Sequence, residues 1–286
     1  MLVRWKLRNG HYAWPIDTEA GDAPQGWTGW PDGKMFAFVL SHDVDTAEGH
    51  DRCRLLMDLE ERLGFRSTFN FVPEDYEVST ELRHEIKLRG FDVGVHGLKH
   101  DSWLFTSRRV FERRLPDVNR YLKAWGAAGF HSPAMYHNLD WSTEFDIEYD
   151  CSTFDTDPFE PQPDGVRTVF PFWVENAKTG RGYVELPYTV PQDHLVFVIL
   201  EKKDIAIWRE KVAWIAEKGG MSLLNSHPDY MNFHKGPCAR EEYPASHYAE
   251  CLEHIKKEYE GLYWQALPKD VALFWREWTQ GNRVTR

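Results

Sequence analysis

Short apolar runs, several of them ended by a polar cluster, alternate along this chain with amphipathic helical segments. That alternation limits the fold more than any other feature. Phe36-Ala-Phe-Val-Leu40 is continuous and apolar, which suits a strand buried on both faces, and it runs into Ser41-His-Asp-Val-Asp-Thr46. Leu55, Leu56, Leu59 and Leu63 then share one face of a helix that Gly64 stops. Thr68-Phe-Asn-Phe-Val72 reads as a second strand, ended by Pro73. Residues 79–89 read as a helix, and 91–95 as a strand running into His96. Residues 107–125 read as a helix that Pro116 should kink or split. Phe130 begins a strand end leading into His131-Ser-Pro133. Strands are expected over 182–186, 194–200 and 221–225, the last ending in Ser226-His227, and helices over 204–218, 246–260 and 268–278.

Strands alternating with helices predict a parallel sheet covered by helices. The expected fold is α/β: one domain spanning 1–286, a TIM-barrel-like (β/α) barrel of parallel strands, distorted or incomplete. A doubly wound open sheet is the competitor. Residues 1–34, rich in Gly, Pro and Trp, should form an irregular segment packed on the barrel. The length of 286 residues suits such a barrel, and 42% hydrophobic residues supply its core. A formal net charge of -11, with no basic stretch, argues against a nucleic-acid partner. The first ten residues lack an apolar core of signal-peptide length, and no apolar run approaches the ~20 residues of a membrane span. The four cysteines form no C-x-x-C pair. The expectation is a reduced, cytoplasmic protein without a transmembrane segment, its oligomeric state open. Aromatic residues, at 15%, suit clefts that take sugar rings, although most of them should simply pack.

In a parallel barrel the C-terminal strand ends meet at one face, where active sites sit. Three polar clusters follow predicted strands: His42-Asp43-Val44-Asp45, His96-Gly-Leu-Lys-His100-Asp101 and His227-Pro-Asp229. On a helical turn, His96 and His100 would point the same way and could hold one cation. With thirteen histidines in the chain, two ordinary surface histidines is the plain alternative for that pair alone. Asp45 would add an anionic third ligand, and a two-His, one-carboxylate set leaves positions open for water and substrate. The cofactor expected is a divalent metal, zinc first, with nickel, cobalt or iron(II) also fitting. Asp43 and Asp45 lie two apart in an extended segment, so one of them should bind metal or titrate high, unless Asp45 merely caps the next helix. His227 at a strand end suits a general acid, though taken alone a buried structural histidine is the better reading.

From about Trp30 to beyond His227 these motifs together resemble the polysaccharide deacetylases, carbohydrate esterase family four. Ser41-His-Asp-Val-Asp45 looks like the first motif, His96 to His100 the second, His131-Ser-Pro133 the third and Leu223 to His227 the last. Tyr149 to Asp157 and Glu185 to Asp193 are similar to segments of bacterial members found with cell-surface polysaccharide synthesis. The resemblance implies that Asp43 is the catalytic base, His227 the acid, and Asp45, His96 and His100 the metal ligands. It implies that the backbone amide of Ala134 helps hold the oxyanion, with His131, His137 and Asp193 facing substrate. One residue departs from the pattern: the third motif usually begins with Arg, and here it begins with His131. A histidine offers neither the permanent charge nor the planar fork of an arginine, so it holds a carboxylate ionised less firmly.

The implied reaction is metal-dependent hydrolysis of an N-acetyl or N-formyl group on a sugar. The expected substrate is a nucleotide- or lipid-linked intermediate of a surface polysaccharide such as O-antigen. Two other readings stay open: a catalytically impaired sugar- or metal-binding relative, for which the missing Arg speaks, and hydrolysis of a cyclic amide.

Overall fold

The computed structural model describes residues 14–160, 162–234 and 236–284. The first thirteen residues, and with them the start of the expected irregular segment and the stretch searched for a signal peptide, lie outside the described residues.

Among the described residues nine strands form one curled sheet: β1 (Phe36–Val44), β2 (Thr68–Phe71), β3 (Asp92–His96), β4 (Gly129–His131), β5 (Tyr149–Asp150), β6 (Phe172–Glu175), β7 (Gly182–Glu185), β8 (Met221–Ser226) and, last in sequence, β11 (Tyr263–Ala266). Two more, β9 (Met231–Asn232) and β10 (Tyr243–Pro244), pair separately. Every ladder of the large sheet is parallel except β6 on β7. β1 is the hub. It pairs with β8 over Ala37 to His42, with β11 near its start and with β2 near its end. All nine of its residues are buried, as the continuous apolar run requires.

The sheet nearly closes. After β7 the chain returns to β8 through one isolated parallel bridge, Val190 to Leu224, with a few hydrogen bonds joining Thr189 and Val190 to Met221 and Leu223 and, among the described residues, no continuous ladder. The barrel is therefore distorted and closed by a loose seam, as the sequence leads one to expect. Around it lie α1 (Ala47–Leu63), α2 (Thr80–Leu88), α3 (Arg108–Trp125), α4 (Ala206–Lys218), α5 (Ala245–Glu258) and α6 (Pro268–Val284). Thr46, Ser79 and Ser107 cap the first three with their hydroxyls. Among the described residues no helix is long and apolar enough to cross a membrane.

Three local expectations are corrected. Residues 194–200 form no strand: His194–Ile199 is a single π-helical turn. The β-branched, apolar composition reads equally well as a buried strand, but only Leu195, Val196 and Phe197 are buried, one side of a wide turn. Pro116 does not split α3, because Pro116 is exposed and the carbonyl four residues back, on exposed Glu112, can turn to water. The segment from His96 to His100 is a tight turn, not helix, and begins with Gly97 at φ 65°.

The Trp27 ring packs with its centroid 4.9 Å from those of Trp30 and Trp275 and 5.2 Å from that of Trp278, edge-on to Trp30 and Trp278, tying the segment ahead of β1 to α6. The Trp30 indole donates to the carbonyl of Gly219, just before β8. This aromatic cluster thus sits at the N-terminal strand ends, away from the polar clusters that follow β1, β3 and β8.

Candidate active site

The pleat of β1 decides which of its polar residues meet the barrel interior. Ser41 and Asp43 share one face, and both accept from the amide of Asn70 on β2, at 2.8 and 3.1 Å. His42 faces the helices. Its ring bonds Ser226 at 2.9 Å and Glu60 of α1 at 2.8 Å, all fully buried, so this Ser-His-Glu arrangement holds α1 to the sheet and has no access to solvent.

Asp43 is bound on every side. Its Oδ1 accepts from His131 Nδ1 at 2.7 Å, and its Oδ2 from the Asn225 amide of β8 at 2.9 Å. Burial alone would push this carboxyl up, but the rings of His131, His96 and His227 hold it far below the usual carboxylate range. His131 thus occupies the tethering position that an arginine would fill. It does so with one donor, and its Nε2 is buried without a partner.

Asp45, two residues on, stands beside both histidines of the second cluster. Its Oδ1 lies 3.4 Å from His96 Nε2 and 3.4 Å from His100 Nε2. The three ligand atoms lie within 4.8 Å of one another. His96 donates from Nδ1 to the carbonyl of His131 at 3.0 Å, which leaves Nε2 as the lone-pair nitrogen facing Asp45. Asp45 Oδ1 is buried and has no hydrogen-bond donor. An unsatisfied buried carboxylate oxygen flanked by two imidazole nitrogens is the donor set a divalent cation needs, so Asp45, His96 and His100 fit one metal ion. Asp45 does not cap α1. Thr46 does, while the Asp229 carboxylate accepts from the backbone N–H groups of Asp45 and Thr46 at 3.1 and 2.9 Å.

The turn after His96 owes its shape to Gly97. At φ 65° a side chain is strained, and a Cβ there would come within 2.8 Å of the Pro133 ring. The second and third clusters are packed together at this glycine. Ala134 itself adopts φ 51°, an uncommon conformation for a residue with a side chain, at the cavity wall.

His227 follows β8. Its Nδ1 pairs with Asp193 Oδ1 at 2.7 Å, and its own N–H donates to Asp193 Oδ2 at 2.8 Å. Tyr243 donates a further 2.9 Å bond to Asp193 Oδ2. Burial would depress this imidazole, but the Asp193 carboxylate overrides it and holds His227 up at about 10, so the ring is cationic near neutrality.

Asp43, Asp45, His96, His100, Ala134 and His227 all border one cavity of about 350 Å³. Two expectations change here. His131 and Asp193 do not face the cavity: each is fully buried behind it and holds Asp43 or His227 in place. His137 also falls outside the lining, its Nδ1 2.9 Å from the carbonyl of Met135. Tyr136 to Asn138 turn away into the short helix over Leu139–Ser142, which Asn138 caps. The rest of the lining, including Phe159, Glu160, Gln192, His194 and Tyr230, is not marked in the sequence. Asn70 and Asn225 leave a trace there, as lone amides inside apolar strand runs.

Fold and site together define an α/β-barrel protein with a carboxylate and histidine centre at the C-terminal strand ends. Comparison with protein-family models and with curated proteins gives no match. Solved structures do match. A Mycobacterium smegmatis protein described as a polysaccharide deacetylase superposes with a TM-score of 0.69 at 17% identity, covering 90% of this chain and 96% of its own. Puue allantoinase gives 0.66 at 13% identity, over 92% and 98%. A Pseudomonas aeruginosa PAO1 protein described as a polysaccharide deacetylase gives 0.62 at 12%, over 87% and 93%. The chain has the fold of the solved polysaccharide deacetylases.

Proposed function

We propose that this protein is a metal-dependent amide hydrolase that removes an N-acyl group from a sugar. The observation that carries the reading is the placing of an anchored carboxylate, Asp43, and an anchored imidazolium, His227, on one cavity with the Asp45, His96 and His100 set. Binding alone would have no use for a separate acid and base. When bound, a divalent cation at that set supplies a Lewis acid for the acyl carbonyl and makes water more acidic.

The residues supply the rest. Asp43, kept ionised, takes a proton from the attacking water as its oxygen bonds to the acyl carbon. The backbone N–H of Ala134 serves the developing oxyanion. His227 passes its Nε2 proton to the amide nitrogen as the C–N bond breaks, so the amine leaves neutral and the acyl group leaves as a carboxylic acid. Asp193 keeps Nδ1 engaged, which fixes Nε2 as the proton donor. The His131–Asp43 bond supports catalysis over the impaired reading, because the base retains a tether where Arg is missing. The fold shared with Puue allantoinase keeps a cyclic amide as the rival substrate.

Acetate or formate release from a panel of N-acyl sugars tests the proposal. Chelation, or His96→Ala, should abolish release, and metal should restore the wild type only. Undiminished turnover after either treatment overturns it.

A further inference from the structure

Two consecutive residues at the cavity wall adopt the left-handed conformation without being glycine. Ala134 has φ 51° and Met135 φ 54°, and both line the cavity. Such a conformation is costly for a residue with a side chain and persists only where its surroundings fix it. The turn is gripped at the two residues ahead of it. Pro133 packs on Gly97. The Ser132 carbonyl accepts the Met135 N–H at 3.1 Å, which closes the turn around Ala134. The Ser132 N–H donates to the hydroxyl of Ser152 at 2.9 Å.

Ser152 lies just beyond β5 and is fully buried, and two carboxyl groups hold it. Its hydroxyl donates to Asp150 Oδ1, and its N–H donates to Glu185 Oε1 at 3.2 Å. Thr153 adds two bonds to the same Glu185 oxygen, from its N–H at 3.0 Å and its hydroxyl at 2.7 Å. With its one proton committed to Asp150, the Ser152 hydroxyl is left as an acceptor aimed at Ser132. Asp150 and Glu185 are register partners on β5 and β7, and both are fully buried. Among the described residues neither Asp150 Oδ2 nor Glu185 Oε2 has a hydrogen-bond partner. Burial pushes both carboxyls up, so the pair retains a proton near neutrality. Neither group borders the cavity, and the proposed reaction uses neither.

Resting on the hydrolase reading, we propose that Asp150, Glu185 and Ser152 are positioning residues for the acyl oxyanion, a buried relay behind the cavity that fixes where the Ala134 N–H points. The relay meets no substrate atom and acts through Ser132. An N–H that serves the developing oxyanion acts in the transition state more than on the bound substrate, so displacing it costs kcat and spares KM. Ser152 asks of Asp150 only an acceptor, not a charge. An amide of the same shape offers that acceptor, and its N–H₂ stands in for the retained proton towards Glu185.

Steady-state kinetics of the zinc-loaded protein on the N-acyl sugar it hydrolyses test the relay, beside calorimetric binding of methylphosphonate, a tetrahedral anion that matches an attacked acetyl group. Ser152→Ala should lower kcat by about tenfold to a hundredfold. KM and zinc affinity should stay within about twofold of wild type. Methylphosphonate should bind this variant about tenfold more weakly. Asp150→Leu should show the same losses, and Asp150→Asn should recover most of them. Thr153→Val removes a buried bond to Glu185 without touching Ser132, so it should lower Tm and spare kcat. Thermal melts verify that each variant folds, and the two Asp150 variants carry the test where Ser152→Ala does not. Wild-type kcat and probe affinity in folded Ser152→Ala, a loss confined to KM, an Asp150→Asn no better than Asp150→Leu, or an equal kcat loss in Thr153→Val would each overturn the proposal. Absence of acyl release from every sugar by the wild type would overturn the hydrolase reading instead. The methylphosphonate series then decides the relay by itself, because it reads the anion donor without turnover.

Discussion

At the residue scale, Asp43 and His227, the base and acid of the proposal, are each paired with a buried neighbour behind the cavity. Asp193→Asn tests one such pair. Because the folded value of His227 is about 10, above the ordinary 6.5, the ion pair stabilises the native state fully below about pH 6.5, and that contribution is lost as pH climbs through 10. Removing the Asp193 charge should move the alkaline limb of the pH–rate profile to lower pH and cut kcat by ~10²-fold or more. An unmoved limb would show that Asp193 does not set the acid. His131→Ala tests the other pair with the opposite sign. Asp43 is held low, so losing its strongest opposing neighbour should raise it and shift the acidic limb upward. Stopped assays across pH 4–7 should show this together with a kcat loss of ~10²-fold.

At the element scale, the fold was legible wherever a strand was long and apolar or a helix was capped. Phe36 to Leu40 announces β1, and Thr46, Ser79 and Ser107 mark the starts of α1, α2 and α3. Tyr149–Asp150 and Gly129–His131 are too short to carry a period, and β6 and β11, half-exposed along much of their length, give none. The π-turn over His194–Ile199 has the composition of a strand. Of the site, Asp43, Asp45, His96, His100 and His227 were readable because each ends or follows a strand. The link from Asp193 to His227 was not, since 34 intervening residues fix it only through the folded chain. Neither was Glu160, which stands in a loop with no periodic signal. Gly97→Ala belongs to this scale. A left-handed alanine pressed on Pro133 should cost about 1–3 kcal/mol in urea unfolding. It should also displace His96 from His100 and weaken metal binding. Unchanged stability and affinity would mean that the turn is not fixed by contact with Pro133.

At the scale of the whole molecule, cohesion and chemistry occupy opposite ends of the barrel. The tryptophan cluster at the N-terminal strand ends joins the segment ahead of β1 to the last helix, and the carboxylates and histidines gather at the other end. A cation bound only by the native site must then stabilise the whole fold. Zinc at a hundred times its dissociation constant should add about 2.7 kcal/mol, which raises Tm by several degrees. His96→Ala should show no such rise. An equal rise in that variant would place the zinc elsewhere.

The seam of the barrel, where a single bridge from Val190 to Leu224 stands in for a ladder, gives the molecule two sides of unequal main-chain pairing. Asp45 and His96, of the set proposed to hold the cation, grow from or directly follow the laddered strands β1 and β3. Gln192, His194 and Asp193, which pairs with His227, follow the weakly stitched side. Lengthening or recutting that flap would sacrifice few main-chain bonds and would leave Asp45, His96 and His100 where they are. What the protein accepts can therefore be altered separately from the residues proposed to hold the cation, provided Asp193 keeps its place against His227.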